Sequence, residues 1–339
     1  MCIVRWRPYA GLDIWNIERG ETLQWRNRFL TVTKAQECAV LTNRGNGDSV
    51  KPESAESPPY EKRCGMNQDG RRLLLLQGLL DERRAWMGDD ANAANITIPN
   101  NPDQQRVLLR ALMNVREPHT VNEKLLRIQD EYLHAEIAAK GITDIASLAP
   151  LRTVPGVGTP AELFLWQGDI TTLACDAIVN AANSGMTGCY VPNHRCIDNA
   201  IHTYAGMELR LACEELMERQ GYPEPTGQAE ITPAFNLPCR YVLHTVGPIV
   251  EGHVTDEHDR LLASCYHSCL AVAAEQGLES VAFCCISTGE FRFPNERAAV
   301  IAVHTVEEFM AEQTSVRKVV FNVFKDTDRA IYERLLRAE

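Results

Sequence analysis

At 339 residues the chain is long enough for two domains of ordinary size, and 45% hydrophobic with 23% charged residues is the balance of a globular protein with a sizeable core. A formal net charge of -11 excludes broad, non-specific attraction to nucleic acid or an anionic membrane, although it says nothing about one local pocket. The 12 cysteines are spread along the chain, which excludes the dense disulfide framework of a small secreted domain.

The first residues, Met-Cys-Ile-Val-Arg-Trp-Arg, lack the basic and apolar regions of a secretory leader, and no apolar run is long enough to span a bilayer. A cytoplasmic protein with reduced thiols is expected, with no nucleic-acid or membrane partner. Residues 1–65 read as an atypical or poorly ordered extension. Trp6, Trp15 and Trp25 show no clear period, and Gly, Pro, Ser and charged residues crowd 44–59.

Residues 66–150 read as a small helical domain. One helix is expected over 71–87. A second begins at Asn101 as cap, with Pro102 at the first helical position and Leu108, Leu109 and Leu112 on one face. A third runs from about 121 to 140, with Leu125, Ile128, Tyr132 and Leu133 at helical spacing and Gly141 as a left-handed cap.

From about Glu162 to 339 short apolar runs alternate with amphipathic stretches. Strands are expected near 163–166, 177–179, 241–246, 281–285 and 319–324, and helices over 196–219, near 256–276, after Pro294 and from Asp328. Such alternation implies an α/β fold in three layers, with a mixed, mostly parallel sheet between helices. Ligands of such sheets bind where loops leave the carboxyl ends of strands.

Four stretches carry polar chemistry at those exits. Gln167-Gly168-Asp169-Ile170 follows a strand; Asp169 suits an amine donor, or simply caps the next turn. Asn180-Ala-Ala-Asn183 places two amides where a sugar could lie, though Asn also favours plain turns. Cys189, His194 and Cys196 lie within eight residues on a loop entering a helix. Soft sulfur and imidazole donors select zinc, and three local ligands leave a fourth position open; inert buried cysteines are the alternative. Asp198 falls in the first turn of that helix, where it serves either chemistry or only the helix dipole, and His202 one turn on reads better as a core histidine. Ser287-Thr288-Gly289-Glu290-Phe291 joins a strand to a helix and offers backbone N–H groups to a phosphate, without the lysine of a nucleotide-hydrolysing loop.

In this order, 167–170, 176–183, 197–206 and 286–291 resemble the macrodomain family, over residues from about 162 onward. The Cys-His-Cys stretch replaces the glycine run usual before the Asp198 segment, and so resembles the zinc-containing subclass. The helices before it resemble that subclass's helical extension. The resemblance implies a macrodomain over 151–339 that binds ADP-ribose. Asp169 would hold the adenine amine beside the Ile170 backbone, and Phe324 would stack on adenine. Asn183 would contact the distal ribose, while Ser287, Thr288, Gly289, Glu290 and Phe291 would wrap the diphosphate and that ribose. Cys189, His194 and Cys196 would bind Zn2+, and Asp198, with Asn183, would serve catalysis. The implied activity is removal of mono-ADP-ribose from modified protein side chains, with Asp or Glu linkage. The alternative is a module that reads ADP-ribose without cleaving it.

Overall fold

The structure is a computed structural model that describes residues 66–87, 96–312 and 314–338, all within one compact unit. The reading of 1–65 as an extension lies outside the described residues.

Three helices come first: α1 (Gln68–Met87), α2 (Pro102–Val115) and α3 (Glu123–Lys140). The Asn101 side chain accepts from the Asp103 and Gln104 amides at 2.8 and 3.1 Å, so the expected cap starts α2. Leu75, Leu76, Leu79 and Leu80 of α1 recur at helical spacing and meet Leu108, Leu109 and Leu112 of α2 and Tyr132 and Leu133 of α3 in one apolar cluster. Met207, from the α/β part of the chain, joins the same cluster. Gly141 ends α3 with φ 86 as expected, but its ψ of 123 is extended, so the left-handed cap does not form.

The remaining elements are β1 (Thr143–Asp144), β2 (Arg152–Val154), β3 (Ala161–Gln167), β4 (Leu173–Ala174), β5 (Ala177–Ala182), α4 (Ile197–Ala205), α5 (Met207–Gln220), β6 (Ala229–Pro233), β7 (Tyr241–Val246), α6 (Asp256–Glu275), β8 (Ser280–Phe283), α7 (Asn295–Met310), β9 (Lys318–Val323) and α8 (Asp326–Arg337). Seven strands form one sheet in the order β2-β3-β9-β8-β5-β7-β6, and β1 pairs β4 separately. The five inner strands β3, β9, β8, β5 and β7 run parallel, and β2 and β6 close the edges antiparallel. This is the mixed, mostly parallel sheet with covering helices that the alternation predicts. Ile178, Val179, Val242, Leu243, Val281, Val319 and Val320 are fully buried at its centre, as parallel strands covered on both faces require.

Two expectations are corrected. The single helix over 196–219 is two helices, broken at Gly206. Gly206 has φ 98, and a Cβ there would lie 2.6 Å from Gln129 Nε2 and 3.0 Å from Asn236 Nδ2. The Gln129 side chain instead accepts the Met207 amide at 2.8 Å, which joins the break to α3. The edge strands β2 and β6, absent from the reading, lack a continuous apolar run because only one side of each is paired.

The sheet order arranges the four stretches of polar chemistry. Asp169 follows β3, Phe324 follows β9, residues 287–291 follow β8 and Asn183 follows β5, and these are four successive parallel strands. At about 4.8 Å per strand, the carboxyl ends line up along roughly 14 Å of sheet edge.

Candidate active site

Asp198 is a buried carboxylate at this edge, 4% exposed in the first turn of α4. Its Oδ1 accepts from Asn180 Nδ2 at 2.8 Å and its Oδ2 from Asn183 Nδ2 at 3.3 Å. Burial pushes its pKa up to about 7; the Asn180 hydrogen bond opposes this, and the nearby Cys189 adds to it. A carboxyl poised near neutrality can take or give a proton. Asn183, exposed above it, also donates to the Gly188 carbonyl at 3.2 Å and so ties the end of β5 to the next loop.

That loop holds Cys189, His194 and Cys196, whose ligand atoms all lie within 4.8 Å of one another. His194 turns Nδ1 toward Cys189 Sγ at 3.5 Å. Cys196 caps α4, its sulfur accepting the Asn199 amide at 3.4 Å. The Cys189 thiol sits well below its ordinary pKa, chiefly through its hydrogen bond with Cys196, and Cys196 is raised by the same bond. One thiolate is thus favoured before any metal arrives. Two sulfurs and one imidazole fit zinc, and three donors leave a coordination position open. Among the described residues every cysteine is a free thiol, and Cys189 and Cys196 are half-buried rather than in the core.

The loop is held by residues that the sequence reading missed. Gly188, with φ 88, brings the chain so near His202 that a Cβ would fall 2.8 Å from its ring. Arg110 of α2 donates to the His194 carbonyl at 3.0 Å and to Asn199 Oδ1 at 2.8 Å. Asn114 of the same helix accepts the Asn193 amide at 2.9 Å, and Asn199 donates to the Val191 carbonyl at 3.0 Å. Arg210 of α5, itself buried, donates to the carbonyls of Thr187, Met113, Asn114 and Arg116 and lies over the Tyr190 ring. The helical segment therefore buttresses the Cys-His-Cys loop. His202 is in the core as expected, but neither ring nitrogen has a hydrogen-bond partner among the described residues; Nε2 lies 3.5 Å from Asp198 Oδ1.

The loop after β8 has the strain and free donors of an anion cradle. Ser287 has φ 62, and its buried hydroxyl has no partner among the described residues. Among the described residues, the amides of Gly289, Glu290 and Phe291 donate to no protein acceptor. Thr288 is fixed by its hydroxyl on the Cys285 carbonyl at 2.9 Å. Phe293 packs in the core, while Phe291 stays half-buried at the edge.

At the far end Phe324 is 77% exposed, beside the end of β3. Asp169 plays the capping part too: its Oδ1 accepts from the Thr171 amide and hydroxyl at 3.0 and 2.6 Å, at the head of a short turn that buries Ile170. Its Oδ2 pairs with Lys140 at 2.7 Å, and Lys140 lies over the Tyr204 ring. Burial works against this charge, but the hydrogen bonds from Lys140 and Thr171 hold its pKa below the ordinary value. An amine reaching Asp169 shares it with Lys140.

Known proteins match this arrangement. The family pattern described as Macro domain covers residues 179–302. A protein-ADP-ribose hydrolase of Treponema medium is 54% identical over 271 residues, covering 80% of this chain and 100% of the relative. One of Staphylococcus aureus is 46% identical over 239 residues, covering 70% and 87%. The solved Trypanosoma brucei macrodomain in complex with ADP-ribose is 27% identical, with a TM-score of 0.51, covering 70% of this chain and 97% of that one. With one such relative matched from end to end, the chain belongs to the macrodomain family, in the group formed by its protein-ADP-ribose hydrolases.

Proposed function

We propose that this chain is a zinc-dependent hydrolase that releases mono-ADP-ribose from proteins modified on aspartate or glutamate. The observation that carries the proposal is the buried Asp198 carboxyl, poised near neutrality by burial, directly beside a three-donor Cys-His-Cys group at one end of a ligand-sized sheet edge. Binding alone requires neither.

ADP-ribose lies along the strand ends in the order of the sheet. Phe324 stacks on adenine, and Asp169 takes its amine next to the Ile170 backbone. The amides of Gly289, Glu290 and Phe291, with Ser287 and Thr288, wrap the diphosphate, and Asn183 meets the distal ribose. Contacts this far from the reacting carbon position it for attack. Asp198 orients a water and accepts its proton as the water oxygen bonds to C1 of the ribose. The bond from C1 to the side-chain oxygen breaks, and the protein carboxylate leaves as an anion that needs no proton. Held by Cys189, His194 and Cys196, zinc would supply Lewis acidity toward a water or ribose oxygen.

Among the described residues no helix is long and apolar enough to cross a membrane. Reliance on two cysteine donors suits the reducing cytoplasm, where we place the reaction.

Proteins carrying ADP-ribose on glutamate, on serine and on arginine separate the linkages. Released ADP-ribose is expected from the glutamate ester. Release from serine or arginine alone would contradict the linkage, and tight ADP-ribose binding with no release from any of the three would make the chain a reader.

A further inference from the structure

We propose that Glu290 is the outer carboxylate of the metal centre, accepting the Nε2–H of His194 and so holding that ring with Nδ1 toward the metal. The inference rests on the zinc reading above. His194 Nδ1 lies 3.5 Å from Cys189 Sγ, while Nε2 lies 3.5 Å from Glu290 Oε1. The two ring nitrogens thus face different tasks. An imidazole that ligates through Nδ1 carries its proton on Nε2, where it can only donate, and an ionised carboxylate can only accept.

Among the described residues the His194 ring is the one basic side chain set against the Glu290 carboxylate. The Glu290 side chain is 72% exposed, so no burial or packing on its own loop accounts for its direction. Its loop leaves β8 and the metal loop leaves β5, and these strands are paired neighbours in parallel register. The carboxylate therefore spans from the phosphate cradle to the metal ligands. Glu290, assigned above to the ligand loop, is in this account a positioning residue that acts through His194. A carboxylate on the second nitrogen fixes the tautomer and raises the basicity of the ligating one.

The test compares zinc affinity, by competition with a chromophoric chelator, for the full-length wild type, Glu290→Gln and Glu290→Leu. The three side chains are close in size and the position is exposed, so melting temperatures of the metal-free proteins should agree. Glu290→Leu is expected to weaken zinc about 10- to 100-fold, and Glu290→Gln by less, because it keeps an acceptor oxygen without the charge. A purely structural role for the loop would not produce that order. Zinc affinities of both variants equal to wild type would overturn the role of Glu290 while leaving the zinc reading intact. A wild type that takes up no zinc would overturn both.

Discussion

Asp198→Ala is expected to lower turnover on an ADP-ribosylated protein about 100- to 10,000-fold, the usual contribution of a positioned acid or base. Affinity for free ADP-ribose should stay within about tenfold, near 1.4 kcal/mol. The difference follows from where the carboxyl sits. It lies 4% exposed beneath Asn183, held by two amides, and the loop after β8 and Phe324 follow other strands. Steady-state release assays and calorimetric titration of ADP-ribose measure the two quantities separately. Unchanged turnover would remove Asp198 from the mechanism. A stability effect accompanies the kinetic one. The folded pKa of this acid is raised above its unfolded value, so the folded state holds the extra proton and loses stability as pH rises from the unfolded value through about 7. Metal-free Asp198→Asn should therefore melt higher than metal-free wild type at pH 8, and the gap should shrink at pH 5.

Arg210→Ala is expected to cost about 3–5 kcal/mol, because it removes several charge-assisted hydrogen bonds and leaves a cavity. Arg210 serves the carbonyls of Met113 and Asn114 at the end of α2, a helix with no basic residue in its own last turn. It also holds the Thr187 carbonyl at 2.7 Å, just before the Cys-His-Cys loop. With about 2–4 °C per kcal/mol for a domain of this size, the melting temperature should fall by roughly 10 °C. A drop under about 2 °C would show that water or a neighbouring group satisfies those carbonyls.

What was legible in the sequence were features with a local cause. The strand Tyr241–Val246 reads correctly because aromatic, β-branched and apolar residues fill five of its six positions, and the start of α2 reads correctly because Asn101 and Pro102 are adjacent. Cys189, His194 and Cys196 read as a group because eight residues contain all three, and the structure brings them together. The break at Gly206 was illegible because its cause, the Gln129 and Asn236 side chains, lies far away in sequence. Arg110 and Arg210 escaped for the same reason: they act on backbone carbonyls 84 and 97 residues distant, and a carbonyl leaves no mark in a sequence. Asn180 stood in the quoted motif, but only the fold shows that it, rather than Asn183 alone, holds Asp198.

The most direct test of the central claim is release of ADP-ribose from a glutamate-modified protein by wild type, by wild type stripped with a strong chelator, and by stripped protein given back one equivalent of zinc, with ADP-ribose affinity measured on each. The account predicts release by the first, loss of release in the second with fold and ADP-ribose binding retained, and recovery in the third. Full turnover by verified metal-free protein would contradict it.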